Sequence, residues 1–397
     1  MSPGSSPLLQ PVTAGVVTGL VGFTGAFVVV LTGLTAAGAD RDQAASGLLA
    51  VSVTMGLASV LLAWRTRLPI TIAWSTPGAA LLVTTGTVDG GWPAAVGAFI
   101  ITGALILLTG VVPALGSLIA RIPPSLAQAM LAGVLLQICL GPITGLAQNP
   151  LAVAPVVLVW LIALRFWPRW SSPLALLTAI AVIWWGLASS GVIVDPALLA
   201  PKLVFTAPQF NLAATIGIAL PLYLVTMASQ NVPGVAVLAG LGYRLPWRAS
   251  MLVTGAGTVL GAPAGGHAIN LAAISAALAA GPEAGADKSR RWLASVTSGV
   301  VVIGLGVCSA ALATLVSLAP VGVIAAVAGL ALLATFASSV RAALAEPAEQ
   351  IPAAVTLLTA ASGIAVLGVS AAFWALLAGL LTRAALQLRR RRGTIET

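Results

Sequence analysis

Apolar runs separated by short polar, Pro-rich or Gly-rich breaks occupy nearly all of the 397-residue chain. Many exceed the roughly 18 to 20 residues that carry a helix across a bilayer. Cutting at the breaks predicts fourteen spans. The first seven lie near 11–36, 44–64, 69–86, 92–119, 125–146, 150–164 and 172–190. The second seven lie near 210–240, 247–260, 263–280, 291–317, 320–340, 350–367 and 370–388. The expected fold is an all-α polytopic membrane protein with fourteen segments in two repeats of seven, 1–190 and 191–397. An odd number of spans per repeat forces the halves to insert in opposite senses, the inverted-repeat plan.

Two segments break the pattern. Ile70-Thr-Ile-Ala-Trp-Ser75-Thr76-Pro77-Gly78-Ala-Ala80 carries Pro and Gly inside an apolar run, as does Gly261-Ala-Pro-Ala-Gly265-Gly266-His267-Ala-Ile-Asn270. Such breaks free backbone groups that lipid cannot satisfy, so they belong where protein or water encloses them. Each is the third span of its half. Paired interrupted spans point to the substrate site of a transporter. By contrast, Gly15 and Gly19 in the first span read as helix-packing positions.

Composition and charge narrow the class. The chain is 59% hydrophobic and 7% charged, with a net charge of +9. With the N-terminus inside, sixteen Lys and Arg fall on the inner side, against Arg41 and Lys202 outside. That asymmetry predicts cytoplasmic N- and C-termini in a bacterial-type inner membrane. Arg389 to Arg392 then read as an anchor to anionic lipid, with no nucleic-acid partner. The N-terminus lacks the marks of a cleaved signal peptide. All nine acidic residues fall outside the predicted spans. The usual proton-relay acids and carboxylate cages are thus missing at mid-membrane, and a paired-carboxylate hydrolase is excluded. One histidine without neighbouring acids or cysteines builds no metal site, and no phosphate-binding glycine loop appears. No cofactor and no enzymatic activity is expected. Cys139 and Cys308 read as small buried hydrophobes. Trp64, Trp74, Trp92, Trp167, Trp170 and Trp247 lie near span ends and read as interfacial anchors.

The remaining mid-membrane chemistry is neutral and polar. Ser75 and Thr76 followed by Pro77 and Gly78 read as a helix start, and Gly265-Gly266 is expected to open the second short helix. Opposed helix N-termini would hold an anion, such as a carboxylate, on free N–H groups. Phe23, Phe27 and Met227 would supply an apolar wall. Gln230, Asn231 and Asn270 complete the candidate set, with site contact and interhelical bonding both open for Gln230 and Asn231. His267, the only histidine, is the candidate proton-coupling group; its alternative is a neutral ring bracing the broken segment.

The two broken stretches, together with Met227-Ala-Ser-Gln-Asn-Val-Pro-Gly234, resemble the BenE family of benzoate/proton symporters. That family is similar to uracil/xanthine permeases and anion exchangers, a UraA/SLC26-like fold. The resemblance implies fourteen segments in which the third and tenth each join a short strand to a half-helix. It also implies a core, here 11–119 and 210–317, moving against a gate, here 125–190 and 320–388. Nucleobase permeases of this fold carry glutamates on the eighth and tenth segments. Here those places hold Gln230, Asn231 and His267, which suits an anionic substrate. Proton-coupled uptake of an aromatic carboxylate is the expectation; a nucleobase or neutral-solute permease and an uncoupled anion exchanger or channel are the alternatives. A homodimer is left open.

Overall fold

The computed structural model describes residues 8–191, 195–364, 366 and 370–393. The first half runs α1 (Leu9–Thr24), α2 (Phe27–Ala36), α3 (Arg41–Thr66), β1 (Ile72–Trp74), α4 (Thr76–Thr85) and α5 (Gly91–Val111). It continues through α6 (Pro113–Ala120), α7 (Pro124–Cys139), α8 (Gly141–Gln148), α9 (Pro150–Phe166) and α10 (Ser171–Ser190). The second half opens with one long helical run, Leu212–Gly240. Within it α11 (Leu212–Ala214), α12 (Leu220–Thr226) and α13 (Val232–Gly240) are joined by π turns at Thr215–Ala219 and Met227–Asn231. Then follow α14 (Trp247–Gly261), β2 (Ile269–Leu271), α15 (Ile274–Ala280), α16 (Trp292–Gly306) and α17 (Ser309–Ser317). Last come α18 (Val323–Ala343), α19 (Gln350–Ala361) and α20 (Ala371–Gly393).

Local chemistry explains the boundaries. Asp40 and Gln43 form a reciprocal capping box that starts α3, and Arg67 ends it in the left-handed region at φ 56°. Three predicted spans need revision. The first is interrupted at Gly25–Ala26, so α1 and α2 are separate helices. The fourth ends at Val111, because Pro113 lacks an N–H and forces Val112 into extended backbone. The eleventh bends by 55° between α16 and α17.

The repeats meet in a two-stranded antiparallel sheet, with Ala73 opposite Asn270 and Ile72 opposite Leu271. Ser75 N–H donates to Ala268 O and Ala272 N–H to Thr71 O, each at a sheet end. The pseudo-two-fold through the Ala73–Asn270 pair carries Ile72 onto Ile269. Both of their outward N–H groups are satisfied by a helix hydroxyl: Ser59 of α3 at 2.8 Å and Thr258 of α14 at 3.1 Å. A strand edge inside a membrane protein needs such partners, since an unpaired buried N–H costs about 1–3 kcal/mol. The same two-fold appears in helix packing. Gly56 on α3 and Gly299 on α16 bring backbones so close that a Cβ on either would sit 2.6 Å from the other's carbonyl oxygen. Gly103 on α5 and Gly255 on α14 make the equivalent crossing. Gly15 and Gly19 pack α1 against α16, as the sequence suggested.

Burial corrects several other expectations. Trp74 and Trp92 are buried; Trp92 donates to Thr206 Oγ1 at 3.1 Å, and neither is an interfacial anchor. Trp64 and Trp167 are exposed, as anchors should be. Cys139 is buried but Cys308 is exposed at the α16–α17 bend, and both are free thiols.

Candidate functional site

Ser75 organises one end of the sheet. It ends β1 and caps α4, its Oγ accepting from Gly78 N–H at 3.1 Å. Ala79 N–H goes to Ser75 O, and Pro77 has no N–H to offer. Thr76 N–H is therefore the one first-turn donor of α4 without a partner among the described residues. Gly78 must lack a side chain, since a Cβ there would run into Ser75 and Leu222 of α12. From across the fold, Thr226 Oγ1 lies 2.8 Å from Ser75 Oγ, and both residues are fully buried.

His267 approaches the same end from the segment before β2. It is 1% exposed, and its Nε2 lies 3.3 Å from Ser75 O. A carbonyl only accepts, so Nε2 carries the proton of this bond. Nδ1 has no hydrogen-bond partner among the described residues. In the neutral ring it is thus a buried, vacant lone pair. Asn270, with its amide oriented to satisfy both atoms, accepts from Ser75 N–H at 3.2 Å and donates to Leu271 O at 2.9 Å. An aromatic wall adjoins: Phe23 stacks on Phe27 with centroids 5.7 Å apart and meets Trp74 at 5.2 Å.

Other candidates sit elsewhere. Asn231, turned inward by the π turn at Met227–Asn231, accepts from Leu271 N–H at 2.9 Å and holds β2 at its far end. Its Nδ2 lies 3.1 Å from Met227 Sδ. Leu271 pairs with Ile72, so Asn231 stands roughly 10 Å along the sheet from Ser75. Gln230 is half-buried and makes no side-chain hydrogen bond among the described residues. Gly265 and Gly266 do not open the second half-helix. They precede β2, where Gly265 (φ 90°) ends a single 3-10 turn and its carbonyl presses on Gly47 of α3. The helix α15 starts at Ile274, capped by Ala273 without a side-chain bond. Thr226, Ser59, Thr258 and Trp74 were missed as functional or bracing residues. Isolated hydroxyls inside apolar helices carry no local signal; only their contacts with the strands and with Ser75 reveal them.

Two broken segments joined at the centre of an apolar, multi-pass helical fold, with one buried polar end, define a membrane transporter rather than an enzyme. The comparisons with known proteins agree. Residues 7–385 match the family described as BenE, benzoate membrane transport protein. The chain is 36% identical to the inner membrane protein YdcO of Escherichia coli (strain K12), over 92% of this chain and 93% of that one. It is 32% identical to the benzoate membrane transport protein of Acinetobacter baylyi, over 94% of each. The chain belongs to the BenE benzoate membrane transport family. Among solved structures it resembles the transmembrane domain of the cyanobacterial bicarbonate transporter BicA, with a TM-score of 0.63 at 13% identity, covering 95% and 98% of the two chains. Murine Slc26a9 in its inward-facing state gives 0.63 at 14% identity, over 99% of this chain and 70% of that one. At such identity the likeness establishes the shared fold, a UraA/SLC26-like arrangement.

Proposed function

We propose that this transporter takes up benzoate or a similar aromatic carboxylate together with a proton, by alternating access of a core (11–119 and 210–317) against a gate (125–190 and 320–388). The observation that carries the reading is His267. Its vacant Nδ1 and a carboxylate oxygen are both acceptors, so they repel unless a proton lies between them. Protonation at Nδ1 turns that repulsion into a charge-assisted hydrogen bond. Substrate and proton therefore enter the site together, which is the thermodynamic basis of symport. Thr76 N–H and the α4 dipole add favourable potential for the anion, and Phe23, Phe27 and Trp74 offer an apolar surface for the ring. Family membership and the name of the Acinetobacter relative support the substrate. The basic asymmetry of the sequence supports termini facing the cytoplasm.

An uncoupled anion exchanger is the second reading: the free Thr76 N–H and the positive end of the α4 dipole attract an anion without any proton. Proteoliposomes separate the two. With an inward proton gradient, labelled benzoate should accumulate above equilibrium, and a protonophore should abolish that accumulation. Equilibration unaffected by the gradient would establish the exchanger instead.

A further inference from the structure

Proton counting at the Ser75–Thr226 pair leads beyond that reading, while resting on its carboxylate substrate. Two hydroxyls bring two protons and share one hydrogen bond, at 2.8 Å. Ser75 Oγ also accepts from Gly78 N–H. If Thr226 donates to Ser75, the Ser75 proton is left over; if Ser75 donates, the Thr226 proton is. Neither hydroxyl has another acceptor among the described residues. Thr226 is unusual in this respect. Thr18, Thr24, Thr32 and Thr102 all turn their hydroxyls back to the carbonyl four residues earlier, the common way to satisfy a helical threonine in an apolar setting. Thr226 instead ends α12, where the π turn begins, and its hydroxyl reaches across to the first repeat.

A buried donor without an acceptor is uncommon in a folded protein, and it is retained where a ligand completes it. We propose that the Ser75–Thr226 pair is a shared hydrogen-bond donor to the substrate's carboxylate, whichever oxygen holds the remaining proton. Thr226 thereby becomes a binding residue of the second repeat, linking the eighth segment to the start of α4. The pair also sets head-group specificity. Thr76 N–H, the leftover hydroxyl proton and a protonated His267 Nδ1 are all donors. An ionised carboxylate has only acceptor positions and matches them. A primary amide of the same shape brings two N–H donors into a site that offers donors, and is rejected.

The test is a double-mutant cycle read by labelled benzoate uptake, with thermal stability of the purified protein measured alongside. In Thr226→Val the Ser75 proton survives, and in Ser75→Ala the Thr226 proton survives. Each single variant should raise KM by no more than about twofold. The double variant has no hydroxyl proton, and KM should rise roughly 10- to 100-fold, the worth of one hydrogen bond to a charged group. That exceeds the product of the single effects, and maximal velocity should change far less. Thr226→Ser, which keeps the hydroxyl, should recover most of the affinity lost in Thr226→Val. Benzamide should compete poorly against wild type. A stable double variant with wild-type KM, or strictly multiplicative single effects, would overturn the shared donor. Failure of the carboxylate reading would look different: wild type itself would not transport benzoate.

Discussion

The two half-helices share a backbone plan and differ in their caps. Each follows a short strand, each strand pairs with the other, and the equivalent outward N–H groups of Ile72 and Ile269 each go to a hydroxyl from a neighbouring helix. The pseudo-two-fold carries Ser75 onto Ala272, and there the likeness ends. The α4 start has a serine cap, a proline in its first turn, the Thr226 hydroxyl and His267. The α15 start has Ala273, no side-chain cap, and open Ser275 and Ala276 N–H groups among the described residues. Their far ends differ as well. Gly86, at φ 69°, closes α4, whereas the buried Arg291 donates to Ala280 O at the end of α15. The paired strands form a symmetric frame, and side chains at one end make it chemically directional. A carboxylate has two oxygens side by side. It can be held at one end of the sheet but not at both, because the two helix starts are separated by roughly 13 Å of strand.

The largest expected effect removes the group that makes the α4 end titratable. His267→Gln retains a side-chain donor for Ser75 O but cannot be protonated in the physiological range. Accumulation of benzoate against its gradient should fall to equilibrium, while benzoate–benzoate counterflow persists at reduced rate. In wild type, affinity should weaken as pH rises, because the proton that binds with substrate becomes scarce; in His267→Gln that slope should flatten. Undiminished uphill transport by a folded His267→Gln protein would leave the ring as a brace, and the asymmetry between the half-helices would lose its functional meaning.

How far this was legible in the sequence follows from the kind of signal each residue carries. Pro77, Gly78, Pro263 and Gly265 mark broken helices because lipid tolerates such breaks only inside protein, so both interrupted segments were visible. The helix start at Ser75 was legible because its cap is local: the acceptor lies three residues before the N–H it satisfies. Gly265-Gly266 misled because glycine opens any unusual backbone. Here it makes room for α3, where a Cβ on Gly47 would lie 2.6 Å from Gly265 O. Thr226 and Ser59 were illegible because their partners lie in other segments. Thr226 is 151 residues from Ser75, and no local period encodes that distance.

An intermediate effect separates bracing from binding at the far end of the sheet. Asn231→Leu leaves Leu271 N–H buried without its acceptor, which costs about 1–3 kcal/mol. Its thermal midpoint in detergent should drop by several degrees, and transport should fall mainly through loss of folded protein. Gln230→Leu removes no described hydrogen bond and should leave the midpoint within about a degree. Equal destabilisation by the two substitutions would contradict the assignment of Asn231 as the β2 brace. A selective rise in KM for Asn231→Leu at unchanged stability would bring the substrate to that end.

The smallest effect is the sharpest test of which half-helix holds the anion. Ala273→Ser places a hydroxyl at the bare start of α15 without adding charge. The backbone there is helical (φ −92°, ψ −52°), so the new side chain caps less well than Ser75 does at ψ 87°. A stability gain of a few tenths of a kcal/mol at most is expected, below the usual worth of a good cap. If the carboxylate is held at the α4 end, benzoate KM should stay within about twofold of wild type. The new hydroxyl would then lie roughly 13 Å of strand away from the bound head group. If the open N–H groups of α15 bind the substrate, the hydroxyl competes with it for those donors and KM rises by about tenfold, one lost hydrogen bond. That outcome would transfer the head group to the start of α15, with His267 and the Ser75–Thr226 pair left as structural braces of the α4 start.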